Sequence, residues 1–319
     1  MRLLFVSFSF LFAVVSASAH PYEPVFEALE SAIVAEDMAV IEADKPNPVA
    51  IAELAERVQP VRVALHEAAA NDEIIWVGDY SAGPETLLPH LSKSRSVLRV
   101  IGGTLTQSRT PVEDVIALRR MAAHLKTEPT LVSRLVGIGT EAATYRYAAS
   151  ILAKLSDDQR QALRQALGDL PVTPSPADTL RAEGRIFSKY ALTLAPAGNP
   201  VAQQISDEIL QVTSDAGGAM ELPKQERDAR LEEIEASAQE LNPATQKVVP
   251  SYGRYARTVD RIIIDRELFH LALDGLIAGD VEAHVGDAAS YEPLPDGGFR
   301  LSKRVDDEYI AEIVVDGVR

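Results

Sequence analysis

TLVSRLVGIGTEAATYRYAASILAKL, residues 130–155, is a largely apolar segment bounded by a helix stop signal and a helix start signal. Glu128-Pro129 ends the preceding helix, because proline lacks the N–H that a helix interior requires. Ser156 begins the following helix, and Gln159 three positions later completes a capping-box pattern. The segment therefore predicts one long apolar helix, followed by a shorter helix over residues 157–169.

Helical patterns continue on both sides of this segment. Residues 22–43 and 48–70 predict two helices separated by the proline-containing turn Asp44–Pro48, and apolar residues in the second recur at spacings of three and four. The stretch Ile74–Val77 predicts either a strand or a packed loop. Further helices are predicted over residues 84–107, 111–126, 177–193, 199–213, 223–241 and 254–279.

The last thirty residues change to a strand pattern. Tyr291–Leu294 and Phe299–Arg304 flank Pro-Asp-Gly-Gly and predict a β-hairpin, and Ile310–Val315 predicts a third strand. The predicted fold class is mainly α, with helical hairpins packed as a bundle or an irregular solenoid and a small C-terminal antiparallel β element. The prolines at 171, 174 and 176 mark a boundary in the predicted division into residues 1–19, 20–170, 177–285 and 290–319.

Residues 1–19 have the composition of a signal peptide. Arg2 precedes an apolar run over residues 3–15, and Ala17 and Ala19 provide the small side chains that a signal peptidase accepts. The pattern predicts cleavage between Ala19 and His20 and a periplasmic or secreted protein without a membrane span after cleavage. The alternative is an uncleaved N-terminal anchor, although the run is shorter than the roughly 20 residues of a membrane-spanning helix.

Charge and cysteine content exclude several classes of function. The chain has 47 acidic and 31 basic residues, a formal net charge of −16, and no cysteine. Because an acidic surface repels phosphate groups, we expect no nucleic-acid partner. The absence of cysteine excludes thiol catalysis, iron–sulfur clusters and cysteine-bound zinc. Apolar residues make up 46% of the chain, which is typical of a folded globular protein.

One glycine motif permits a cofactor interpretation. Gly137-Ile-Gly139-Thr-Glu-Ala142 matches the G-x-G-x-x-A pattern with which dinucleotide-binding folds approach a pyrophosphate, and Asp157 follows at a suitable distance. That pattern requires a preceding strand within a β–α–β unit, and no β–α alternation surrounds it here. We favour the simpler interpretation that these small residues allow two helices to pack closely.

Two further patterns permit a metal interpretation. Glu267 and His270 form a single Glu-x-x-His pair, whereas di-iron bundles need two such pairs and two additional glutamates. His20, as the first residue after cleavage, has the amine and ring nitrogen of a copper-binding histidine brace, but its simpler role is a lead-in to the first helix. We assign no catalytic, cofactor-binding or metal-binding residue from the sequence.

The stretch from Leu118 to Leu170 resembles a group of uncharacterised exported or membrane-anchored helical proteins of planctomycete-type bacteria. The shared elements are His124-Leu125, Glu128-Pro129-Thr130-Leu131 and Leu155-Ser156-Asp157 with Gln159. The ending Tyr291–Leu301 is similar to the small β element of that group. The resemblance implies that Gly137–Ala142 lies inside a helix, and it transfers no activity or catalytic residue.

These observations favour a non-enzymatic envelope protein that binds a protein partner or has a structural role. The alternative is a hydrolase or metal-dependent enzyme assembled from distant residues, which predicts a pocket where at least two of His66, His90, His124 and His270 meet carboxylates. A third possibility is a periplasmic small-molecule binder, which predicts an enclosed cavity among the helices with few convergent polar groups.

Overall fold

A computed structural model describes residues 20–43, 47–72, 74–76, 79–83, 86, 88–306 and 309–317. The segment that opens the sequence analysis forms helix α7, Leu131–Leu152, which packs along α6, Pro111–Lys126. Thr130 caps α7 by accepting a hydrogen bond from the backbone N–H of Ser133. Apolar and small residues occupy all sides of α7, so it lies buried at the centre of the fold. The predicted long apolar helix is confirmed.

The N-terminal helices pack against the α6–α7 pair and form a hydrophobic core with it. Pro89–Gly103 (α5) contacts both helices of the pair, and the first helix packs on the fourth and on α5. A short 3-10 turn, Leu105–Gln107, leads from α5 into α6. The four helices before α5 are α1 (Glu23–Ala32), α2 (Ala35–Glu42), α3 (Pro48–Arg57) and α4 (Gln59–Ala69).

The C-terminal helices and the sheet also pack against the pair and form a separate hydrophobic core with it. The long helix α13, Tyr252–Ala278, contacts α7, α8 and α11, while α9 and α10 form an antiparallel hairpin. A 3-10 turn, Gly286–Ala288, precedes the sheet. The other helices of this part are α8 (Asp157–Gly168), α9 (Pro176–Thr193), α10 (Pro200–Ala219), α11 (Lys224–Ala238), α12 (Pro243–Val248) and α14 (Val281–Val285).

The chain ends in a three-stranded antiparallel sheet of order β1-β2-β3, formed by Ser290–Pro293, Phe299–Arg304 and Ile310–Val315. Tyr291 pairs with Leu301, and Leu301 pairs with Ile313. Alternate residues of β3 are buried against α7 and α13, as expected for a sheet with one solvated face. The predicted fold class, mainly α with a small C-terminal antiparallel β element, is confirmed.

Two hydrophobic cores meet at α6 and α7. The first core includes Val115 of α6 and Ile151 of α7 and extends through α13 to the sheet, while the second includes Leu118 and Met121 of α6 and the N-terminal helices. Residues from both sides of the prolines at 171, 174 and 176 share the first core. Within the described ranges, no helix has the length and apolar character needed to cross a membrane.

Several predicted boundaries are corrected in the N-terminal part. Residues 22–43 form two helices because Val34 is extended and its N–H donates to the Asp37 carboxylate, which starts α2. Residues 48–70 also divide at Val58, two positions before Pro60, which enters the first turn of α4. Helix α5 begins at Pro89, later than the predicted start at residue 84, which lies outside the described residues.

Other corrections concern short or extended elements. Ile74–Trp76 form no helix or strand, which agrees with the packed loop, one of the two predicted alternatives for this stretch. Helix α10 continues past residue 213 to Ala219, because Ala216 and Gly217 are buried against α9 and extend its packed face. Helix α12 was not predicted; Asn242 caps it by accepting from the N–H of Ala244. The predicted signal peptide, residues 1–19, lies outside the described residues.

Candidate functional site

A solvent-open apolar cavity of about 310 Å³ lies between the start of α7, the middle of α9 and the end of α12. We call it the Glu183 pocket. Glu183 and Phe187 line it from α9, where their spacing of four places both on one helix face. The exposed residue Lys247 of α12 also contributes to its lining. The remaining walls are apolar and comprise Leu131, Val132, Leu135, Val249 and Pro250.

Glu183 is the buried acidic group of this pocket. Its relative exposure is 6%, and its Oε1 accepts a hydrogen bond of 2.8 Å from the backbone N–H of Leu131, the first residue of α7. Among the described residues its carboxyl forms no ion pair. Burial raises the pKa of Glu183 from its ordinary value of 4.5 to about 7, although the Leu131 N–H acts in the opposite direction.

A layer of buried polar groups lies next to Glu183. Tyr252 and Tyr255 of α13 are buried, and the hydroxyl of Tyr252 has no hydrogen-bond partner among the described residues. Burial raises the pKa of both phenols, and the Glu183 carboxylate raises each further. Arg134 lies beside Tyr255, opposes the rise in its pKa, and donates to the backbone oxygen of Pro174 at 2.6 Å.

A second apolar cavity, of about 270 Å³, shares Phe187 with the Glu183 pocket. It lies between the α9–α10 hairpin and α12, with Leu194 and Val201 at its edge. These two side chains are 67% and 53% exposed, which is unusual for neighbouring large apolar residues. The two cavities are adjacent along α9, and Glu183 lines the first of them.

The predicted histidine candidates divide among three places. His20 and His90 each pack against the ring of Trp76, with centroid distances of 4.7 and 4.8 Å. His124 joins this cluster through its Nδ1, which lies 2.8 Å from the hydroxyl of Tyr22. Burial lowers the pKa of His124 to about 4, with the backbone of Asn71 acting in the opposite direction. His66 and His270 lie elsewhere.

Two histidines, His90 of this cluster and His66 of α4, have acidic partners. Glu128 accepts from His90 Nε2 at 2.9 Å and from the hydroxyl of Tyr80 at 2.9 Å. His66 Nε2 lies 2.8 Å from Oδ1 of the fully buried Asp114, which also pairs with the guanidinium of Arg62. A cavity of about 200 Å³ adjoins His66. Its other lining residues are Ala69, Ala70, Glu113, Ile116, Ala117 and Arg120.

His20 and the Glu267–His270 pair do not adopt metal-binding arrangements. His20 Nδ1 accepts a hydrogen bond of 3.2 Å from the backbone N–H of Tyr22. Glu267 pairs with Lys303 at 3.0 Å, while His270 packs against Tyr145 and burial lowers its pKa to about 4. Over the part of the chain that the structure describes, no three histidine, aspartate or glutamate side chains are grouped to hold a metal ion.

The glycine motif lies in the middle of α7. A Cβ on Gly137 would lie 2.6 Å from Lys126 Cγ and 2.9 Å from the backbone oxygen of Ala122, both in α6. The six residues directly before the motif belong to α7, which begins at Leu131, and form no strand. Gly137 therefore allows close helix packing, as the simpler interpretation predicts. The fifth residue of the motif, Glu141, is buried and pairs with Arg119, Lys126 and Arg266.

Sequence reasoning missed Glu183 and its surroundings. The available signal was a glutamate on the apolar face of a predicted helix, three positions after Leu180 and four before Phe187. Tyr252 and Val249 come close to Glu183 because segments that are distant in sequence pack together. The spacing of residues along the chain does not reveal that packing. Comparisons with family models, curated proteins and solved structures found no match for this chain. Its function is therefore inferred from its own residues.

Proposed function

We propose that the chain is an exported, non-enzymatic binding protein that takes an apolar ligand in the Glu183 pocket. The observation that carries this proposal is a cavity of about 310 Å³ with mainly apolar walls and one buried carboxyl. Sites for small molecules are commonly apolar cavities in which a few polar groups fix the orientation of the ligand. The adjoining cavity at Phe187 provides space for a longer apolar chain.

The export part of this proposal rests on the composition of residues 1–19. Cleavage between Ala19 and His20 gives a mature chain that begins with His-Pro-Tyr. N-terminal sequencing of the protein recovered from the cell envelope or the medium tests it. A sequence that begins at His20 supports export, whereas recovery of residues 1–19 from the membrane fraction supports the anchored alternative.

The second candidate function is hydrolysis, and the pair formed by His66 and Asp114 favours it. A buried aspartate that accepts from a histidine ring fixes the orientation of a general base, and the adjoining cavity offers space for a small substrate. The described residues that line this cavity include no serine or threonine that would serve as a nucleophile. We therefore favour the binding function. If the wild type hydrolysed an ester and H66Q did not, hydrolysis would become the favoured function.

Binding of the neutral dye Nile red tests the proposed function. Val132 is 46% exposed, lines the pocket and is the second residue of α7, where a glutamate is compatible with the helix dipole. We expect V132E to weaken dye binding about tenfold, because its charge enters an apolar wall. Val172 is 97% exposed and lies outside the pocket, so V172E is the matched control and should bind like the wild type. Equal binding by all three proteins would refute the proposal.

A further inference from the structure

We infer that the ligand of the Glu183 pocket is an apolar molecule that carries a primary amine, with its ammonium group against the free oxygen of the Glu183 carboxyl. This inference rests on the proposed function and specifies its ligand. The first observation is the asymmetry of the carboxyl: Oε1 accepts from the Leu131 N–H, while no hydrogen bond engages Oε2 among the described residues. The carboxyl lines the pocket.

The second observation is the absence of a protein cation at this acid. Other buried acids of the chain have such partners: Asp114 pairs with Arg62, and Glu141 pairs with Arg119 and Lys126. Within the described residues, Glu183 has no ion pair although it is only 6% exposed. Because a buried carboxylate without a countercharge is costly, a cationic ligand would supply the charge that the fold omits.

The groups facing Glu183 support a cation rather than an anion. Helix α7 presents the Leu131 N–H, which is already used, and α13 presents the neutral phenols of Tyr252 and Tyr255. Arg134 lies beside Tyr255 and donates to Pro174 and Thr179. The amine of Lys247 is at the exposed side of the pocket and makes no ion pair with the carboxyl. Arg134 is buried and its Nε has no partner among the described residues, but Arg134 does not line the pocket, so a ligand anion there would meet a carboxyl and no buried cation.

Release of a proton from Glu183 when the amine binds provides a second test of this inference. Burial raises the pKa of the Glu183 carboxyl to about 7 in the free protein, so part of the population is protonated at neutral pH. An ammonium group beside the carboxyl favours its ionised form and lowers that pKa. Binding near pH 6 should therefore release a proton from Glu183, and near pH 8.5, where the carboxyl is already ionised, it should not.

Isothermal titration with three probes of matched shape tests the inference. The probes are 4-phenylbutylamine, 4-phenylbutanol and 4-phenylbutyrate, and the proteins are the wild type and E183Q. Glutamine retains an oxygen that can accept from the Leu131 N–H, so E183Q removes the charge and keeps the helix contact. In the wild type near pH 8.5 we expect the amine to bind about tenfold more tightly than the alcohol. In E183Q this preference should disappear, while the affinity for the alcohol should remain.

The outcomes separate the inference from the proposed function. Binding of the alcohol without a preference for the amine, or a preference that persists in E183Q, overturns the inference and leaves the proposed function intact. Tightest binding by 4-phenylbutyrate overturns it in favour of an anion held by Lys247. If no probe binds the wild type, the proposed function and this inference both fail. Heats near pH 6 that do not vary with the ionisation enthalpy of the buffer would contradict the proton release.

Discussion

The carboxyl of Glu183 and the backbone N–H of Leu131 are joined by a hydrogen bond of 2.8 Å that connects the middle of α9 to the first residue of α7. The N–H groups in the first turn of a helix lack partners within the helix, so this contact satisfies one of them. It also places an acidic group in an apolar wall, where burial raises its pKa to about 7. One side chain thus fixes helix packing and provides the polar group of the Glu183 pocket.

The raised pKa of Glu183 predicts that this residue lowers stability as the pH rises. The folded protein binds the proton more tightly than the unfolded chain, whose glutamate has the ordinary value of 4.5. The favourable contribution is present below pH 4.5 and is lost as the pH rises through about 7. Relative to E183Q, the free energy of unfolding of the wild type should fall by about 2.5 kcal/mol between pH 5 and pH 8.

Urea denaturation at several pH values measures this difference. The control is E226Q, because Glu226 is an exposed residue of α11. The pH dependence of E226Q should follow that of the wild type. A wild-type curve parallel to that of E183Q would show that the carboxyl titrates normally in the folded protein.

His124 should lower the stability of the folded protein as the pH falls, whereas Glu183 lowers it as the pH rises. Burial lowers the pKa of its ring from 6.5 to about 4, so the unfolded chain binds the proton more tightly. Its contribution is present above pH 6.5 and is lost as the pH falls towards 4. Relative to H124Q, the wild type should lose about 2 kcal/mol of unfolding free energy between pH 7 and pH 4.5. An unchanged difference over this range would contradict the burial of a neutral ring.

Truncating one side chain of the buried pair formed by Arg62 and Asp114 should lower the free energy of unfolding more than the loss of an exposed ion pair. Both side chains are almost completely buried, and Asp114 also bonds to His66. D114A leaves the Arg62 guanidinium buried without its countercharge, which we expect to cost about 3–5 kcal/mol in chemical denaturation. The exposed pair of Arg109 and Glu56 provides the comparison, since E56Q should change stability by less than about 1 kcal/mol. Similar costs for the two variants would refute this assignment.

The two glycines of the G-x-G motif should respond differently to alanine. A Cβ on Gly137 meets α6 at 2.6 Å, whereas a Cβ on Gly139 has no neighbour within 4 Å. G137A should lower stability by about 1–3 kcal/mol through overpacking. G139A should raise it by up to about 1 kcal/mol, because alanine favours a helix interior. Thermal denaturation of the two variants tests this, and equal effects would contradict the packing role of Gly137.

Much of the fold was predictable from the sequence because its signals are local. The capping box of Ser156 and Gln159 forms as predicted and starts α8. The Asp-Gly turn gives the predicted hairpin, in which Gly297 has a positive φ of 84°. The breaks at Val34 and Val58 were missed, because a continuous apolar periodicity obscured the extended residue before α2 and the effect of Pro60 on α4.

The candidate site was much less predictable. The sequence directed attention to histidines, yet the structure places most of them in internal contacts with Glu128, Asp114 and aromatic rings. Glu183 carried a weak signal, a glutamate on an apolar helix face, and its significance depends on a cavity formed by three helices. The distance from Leu131 to Glu183 spans 52 positions of sequence, so no local pattern could reveal their contact.

The most direct test of the binding site is a titration of ¹⁵N-labelled protein with 4-phenylbutanol, followed by backbone amide chemical shifts. This neutral probe reports the location of binding independently of charge. We expect the largest shifts at Leu131, Val132, Leu135, Phe187 and Val249, which surround the Glu183 pocket. Largest shifts around His66 and Arg120, or no saturable shift at any residue, would contradict the assignment of the Glu183 pocket as the binding site.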